Sequence, residues 1–155
     1  MWQSFLQGLE FSGLGYAARG SVWLYPLANL CHVVGATLLV GAILVFDVLL
    51  LRNRFDLAVA VSPTALGVAA TGLALLILSG PIMFSAEATA FGHNPIFLAK
   101  MALIAAGFAN LGLYHWAGRK AVPAPAVPAN ARYHAAFSAG IWILAVIAGR
   151  SIAYV

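Results

Sequence analysis

Charge is what this sequence has least of. Its 155 residues include eight Lys/Arg and four Asp/Glu, so that 8% are charged and 63% hydrophobic, with a mean hydropathy of +0.96. A soluble domain carries about 25% charged residues, and a chain this short cannot hide so much apolar surface in one aqueous core. The composition therefore excludes a soluble domain and makes the bilayer the solvent. Cysteine is almost missing. Cys31 alone excludes an intrachain disulfide and any CxxC or CxxCH motif, and with the latter covalent c-type haem attachment. There is no phosphate-binding loop, no GxGxxG and no nucleophile elbow. No basic cluster interleaves with aromatics in a polar segment, which excludes nucleic acid as a partner. The first residues lack an early basic region, and Gln3, Ser4, Gln7 and Glu10 break their apolar pattern, so they do not read as a signal peptide. Nothing reads as a strand or as a second domain.

What is present is four long apolar runs, near residues 24–51, 60–88, 95–118 and 132–154. Each exceeds the roughly 20 residues that one crossing needs. The expected fold is all-α: an integral membrane four-helix bundle over 24–155, preceded by a short interfacial segment over 1–20. In that segment Trp2, Phe5, Leu6, Leu9 and Phe11 can share one face of a surface-lying helix. Pro26 is tolerated in a first turn, and "HNPIF" offers Asn94 as N-cap with Pro95 as first helical residue. Pro63 falls early in the second run; Pro81, after Gly80, should kink or loosen its end. Gly35, Gly41 and the glycines of "GVAATG" (67–72) read as helix-packing positions. "GRKAVPAPAVPANAR" reads as an extended, semi-rigid loop.

Lys and Arg set the expected orientation. Arg52 and Arg54 lie between helices one and two, and Arg119, Lys120 and Arg132 between three and four; the other side has Arg19 in its flanks. The first and third loops should be cytoplasmic, with both termini facing outward from a bacterial inner membrane.

Helix rise turns sequence position into depth. His32 falls roughly 10 Å below the outer end of helix one, with Met83 and Met101 at similar depth, Lys100 slightly shallower, and Arg150 roughly 7 Å from the end of helix four. Glu87 sits near the outer mouth and His93 in the outer loop. The inner half holds His115 and His134, at one depth on consecutive antiparallel helices, with Asp47 a little deeper. Ionisable residues inside spans are costly and point to function, yet each has a plainer reading. His115 and His134 can be headgroup-zone rings beside Tyr114, Trp116 and Tyr133. Glu87 and Arg150 can form a structural ion pair, and Asp47 can pair with Arg52 or Arg54 or snorkel. Met83 and Met101 can fill gaps, Lys100 can snorkel outward, and His32 can bond a serine or a carbonyl on a neighbouring helix.

Inward histidines in a four-helix membrane bundle suit b-type haem: imidazole is an axial ligand, and Arg or Lys can pair with the propionates. His32 with Arg150 and Lys100 would suit an outer haem, with Met83, Met101 or His93 as the second ligand. His115 and His134 would suit an inner one, near Arg119, Lys120 and Arg132. One haem bridging His32 and His115 is a poor fit, because their depths differ by roughly 15 Å or more. Copper is the alternative, since Cys31, His32, Met83 and Met101 are soft or borderline donors at one level, although Cys31 and His32 point about 100° apart on their helix. The expected function is electron transfer within or across the membrane beside a redox partner protein or quinone. The alternatives are copper handling, or a cofactor-free accessory subunit of a larger membrane complex. Each run is apolar all round, so no face is marked as inward.

Three stretches, "LYPLANLCHVVGATLLVGAILVFDVLLL", "NPIFLAKMALIAAGFANLGLYH" and "AGRSIAYV", resemble an uncharacterised bacterial family of small four-helix membrane proteins, a domain of unknown function. That family is distantly similar to the membrane domain of CopD copper-resistance proteins, which also carries helix histidines. The matching positions are His32, Gly35, Asp47, Asn94, Pro95, Phe97, Lys100, Asn110, His115, Gly149, Arg150 and Tyr154, in order across most of 24–155. After Asp47 the family often reads Asp-Leu-Arg-Leu-Leu-Gly, where this chain has "DVLLLRN". The resemblance implies the four-helix fold and no particular activity; its link to copper is analogy.

Overall fold

The computed structural model describes residues 1–120, 127 and 129–154. Among these the chain is all helical: α1 (Trp2–Glu10), α2 (Gly13–Gly20), α3 (Leu24–Leu51), α4 (Phe55–Ala86), α5 (Ala88–His93), α6 (Pro95–Lys120) and α7 (Ala131–Ser151), closed by a 3₁₀ turn (Ile152–Tyr154). Four of them, α3, α4, α6 over 95–117 and α7, are long and apolar enough to cross a membrane. Much of the expected Pro-rich loop, 121–126 and 128, and the side chains of Arg119 and Lys120 lie outside the described residues.

The turn after α3 shows why that helix stops. Asn53 takes the left-handed conformation at φ 54°, which Asn tolerates better than most residues. The Asn53 N–H then donates to Leu50 O at 3.1 Å and the Arg54 N–H to Leu49 O at 2.9 Å, satisfying two of the helix's last carbonyls. Because the reversal is this tight, α4 begins at Phe55 rather than near 60, and it runs through Pro63 and Pro81 to Ala86. The fourth span likewise becomes 3₁₀ after Ser151 instead of continuing as α-helix to 154. At the start of α6, Asn94 Oδ1 accepts the Ile96 and Phe97 N–H groups at 2.9 and 3.2 Å, with Pro95 in the first helical position.

α3 packs on α4, α6 on α7, and α3 on α7 joins the two hairpins. The α3–α4 seam is closest at Gly35 and Gly72, where a Cβ on Gly72 would lie 2.6 Å from Gly35 O and from the Leu39 backbone N. Small residues are what allow helices to meet this closely in lipid. Gly41 and Gly67 face open space and take no part. In the α6–α7 seam the Trp142 ring packs against Gly107, 3.0 Å from where a Cβ would stand. Leu50, Ala58, Ala131 and Ala135 form the core near the 52–54 turn (the turn end), flanked by Phe46 and Tyr114.

The N-terminal segment packs on the bundle. It folds as two helices that cover the end carrying Met1 and Tyr154 (the terminal end), α1 against α5 and α2 against α4. Leu6 is fully buried on the bare backbone of Gly92, which stabilises the cap by about 1.5–3 kcal/mol. Glu10 accepts from the Thr89 N–H at 2.8 Å and from the Thr89 hydroxyl, capping α5 from 79 residues away. Those two bonds, with the nearby Arg19 charge, hold its carboxyl below the usual carboxylate range. Arg19 donates to Ala86 O at 2.8 Å and to Glu10 O at 2.7 Å, satisfying the end of α4.

Candidate functional site

The polar residues of the spans gather at two levels. At the terminal end His32 is half-buried on α3. Its Nδ1 lies 3.0 Å from Ser79 Oγ on α4, and the Ser79 hydroxyl gives its own proton to Leu75 O at 2.6 Å. The serine oxygen must therefore accept, so Nδ1 carries the imidazole proton and Nε2 keeps its lone pair. The Cε1 edge rests on Gly80, 3.7 Å from where a Cβ would stand, so a larger residue there would press on the ring. The Lys100 charge on α6 is close enough to act on His32. Its stem lies along Gly149 of α7, 3.5 Å from a Cβ placed there, instead of snorkelling free, and among the described residues no carboxylate pairs with it. Met83 is half-buried one turn beyond Ser79, on the same side of α4. Phe84, Phe91 and Phe97 stack at 5.4–6.4 Å between ring centroids, linking α4, α5 and α6 at this level.

The other residues expected at this level do not converge on His32. Cys31 is exposed, Met101 is 47% exposed, and His93 is exposed with its Nδ1 donating to Thr89 O at 2.8 Å. Arg150 is exposed and bonds the Tyr154 hydroxyl, with its guanidinium over that ring at 4.4 Å. It does not form the expected ion pair with Glu87, which instead sits near Tyr25.

At the turn end His134 is fully engaged. Nδ1–H donates to Asn110 Oδ1 at 2.8 Å, Nε2 accepts from Asn130 Nδ2 at 3.1 Å, and its backbone carbonyl accepts from Asn110 Nδ2 at 3.0 Å. His115 is exposed. Both rings meet Tyr114 edge-on, at 5.7 and 6.1 Å between centroids, so the tyrosine comes between histidines that the spacing makes neighbours. Asp47 neither snorkels nor pairs with Arg52 or Arg54, which are exposed on the turn. It is 4% exposed, lies beside the Ser138 hydroxyl and leaves Oδ2 buried with no partner. A bare ionised oxygen in such a place costs several kcal/mol or more, whereas an unsatisfied neutral hydroxyl costs about 1–3 kcal/mol. The neutral acid is the form this environment supports.

The sequence reading missed Ser79, Ser138 and the gripping role of Asn110. A signal for Ser79 existed: it lies seven residues from the end of α4 while His32 lies eight from the start of α3, so depth alone matches them. No group of three or more His, Cys, Asp or Glu converges to hold a metal among the described residues. No family model, curated protein or solved structure matches the chain.

Proposed function

We propose that the chain is a membrane b-type haem protein, passing electrons within or across the bilayer beside a redox partner protein or quinone, with His32 as the axial ligand. One observation carries this reading: the His32 tautomer is set by Ser79, leaving Nε2 as a lone-pair donor near the Lys100 ammonium, which no carboxylate among the described residues pairs with. A ligating histidine characteristically spends its other ring N–H on a neighbour that fixes its orientation. Lys100 would meet a propionate, in preference to Arg150, which is engaged with Tyr154. Met83 is the second axial candidate. Haem, when bound, supplies the one-electron couple; these side chains hold and orient it.

The turn end favours no second haem, since both ring nitrogens of His134 are taken within the chain and His115 points outward. That closed network favours a second reading, a cofactor-free accessory subunit of a larger membrane complex. Copper handling is less favoured, because Cys31 and Met101 are exposed while His32 is half-buried on Ser79. The likeness to small four-helix membrane proteins and to the CopD domain belongs to the same proposal and adds no activity to it. So does placement in a bacterial inner membrane with residues 1 and 154 outward. In its support, Arg52 and Arg54 are exposed at the turn end, while Arg19 at the other end is spent on backbone carbonyls.

The test is a visible spectrum of protein purified in mild detergent, air-oxidised and then reduced with dithionite. A Soret band with sharp reduced α and β bands, lost in His32→Ala and kept in His134→Ala, is the expected result. A flat spectrum at full protein yield overturns the haem reading and leaves the accessory subunit.

A further inference from the structure

We propose that Asp47 is a proton-binding site within the bilayer, loaded and unloaded from the turn end. Three observations meet here. The carboxyl is buried with Oδ2 unpartnered, and among the described residues no cation pairs with it. The groups that face it are the Ser138 hydroxyl from α7 and the nearby Tyr114 from α6, while α4 brings apolar Ala58 to the same end of the bundle. On its own helix the nearest charges, Arg52 and Arg54, are exposed beyond the helix end. A carboxyl so placed holds a proton on Oδ2 in preference to a charge.

The second observation is its place. Asp47 lies four residues, roughly 6 Å, from the end of α3 at Leu51. A proton taken up there comes from water at the turn end: on Asp47 an O–H bond forms as the donor's bond breaks, with no other reactant. The third is a barrier. Fifteen residues of α3, roughly 22 Å, separate Asp47 from His32. On that stretch the Thr37 hydroxyl is tied to its own helix at Val33 O, and Gly35 and Gly72 bring the backbones together. Exchange is therefore one-sided, and it does not depend on haem.

Infrared difference spectroscopy on the full chain in detergent tests this. Expected is a protonated-carboxyl C=O band at neutral pH that shifts in D2O and is lost in Asp47→Asn. The chain has only four acidic side chains, so Glu10→Gln, Asp56→Asn and Glu87→Gln complete the assignment by leaving the band in place. Should Asp47→Asn not fold, Ser138→Ala, which removes the hydroxyl beside the carboxyl, is expected to shift the band. Absence of the band in the wild-type protein, or its persistence in Asp47→Asn, overturns the site; a band that does not shift in D2O overturns its exchange with the turn end.

Discussion

Asn110 holds His134 twice, accepting its ring Nδ1–H at 2.8 Å and donating to its backbone carbonyl at 3.0 Å. Asn110 is itself 7% exposed, so neither bond is readily replaced by water. Asn110→Leu should leave the ring donor stranded and destabilise the fold by roughly 1–3 kcal/mol. Thermal unfolding in detergent would read this as a lowered midpoint. Asn29→Leu, at an exposed position, is the control and should change little.

The N-terminal cap should loosen in acid. Hydrogen bonds from Thr89 hold the Glu10 carboxyl below its ordinary 4.5, so its stabilisation is fully present above that value and is lost as pH falls through it and below. Hydrogen exchange over residues 1–20 should accelerate in that window, while α3 and α4 keep their protection. Glu10→Gln should raise exchange in the cap at neutral pH and remove most of its acid dependence. A cap equally protected at both pH values would contradict the role given to Glu10.

The spans were legible because composition alone decides them: a run such as 24–51, with Asp47 as its one charged residue, can be little else at this length. His32 and Asp47 stood out for the same reason, as polar groups where polarity is costly. Their partners did not. Helices that are apolar all round carry no periodic mark of an inward face, so nothing in the sequence tied His32 to Ser79, or said that His115 turns outward while His134 turns in. The start of α4 was hidden too. The sharp reversal depends on Asn53 adopting positive φ, and the short "RNRF" stretch reads equally well as a longer loop. Glu10 and Arg19 looked like ordinary polar residues of a surface segment, because their partners, Thr89 and the 85–86 carbonyls, lie more than sixty residues away.

Gly72 should tolerate no side chain. A Cβ there would meet backbone atoms of α3 at 2.6 Å, and backbone cannot swing aside as a flexible side chain can. Gly72→Ala is expected to cost about 1–3 kcal/mol by overpacking, and Gly72→Val more. Gly67→Ala on the same helix, with nothing within 4 Å, should be neutral. Thermal midpoints of the three variants in one detergent would check the ranking; equal midpoints would mean that the α3–α4 seam is looser than this contact implies.

Ser79→Ala separates a ligand histidine from one that only packs. If His32 holds iron, Ser79 acts as a positioning residue: its oxygen accepts the Nδ1 proton and thereby keeps Nε2 free and aimed. Removing such an outer partner typically costs 10–100-fold in affinity at metal sites. Ser79→Ala should therefore fold at near wild-type yield, carry less haem per protein, and show a shifted reduction potential for what remains. Ser79→Thr, which keeps the hydroxyl, should restore both. A purely structural His32–Ser79 contact would lower the thermal midpoint in Ser79→Ala but leave haem content and potential where they were, and the Thr variant distinguishes these two outcomes without touching the histidine.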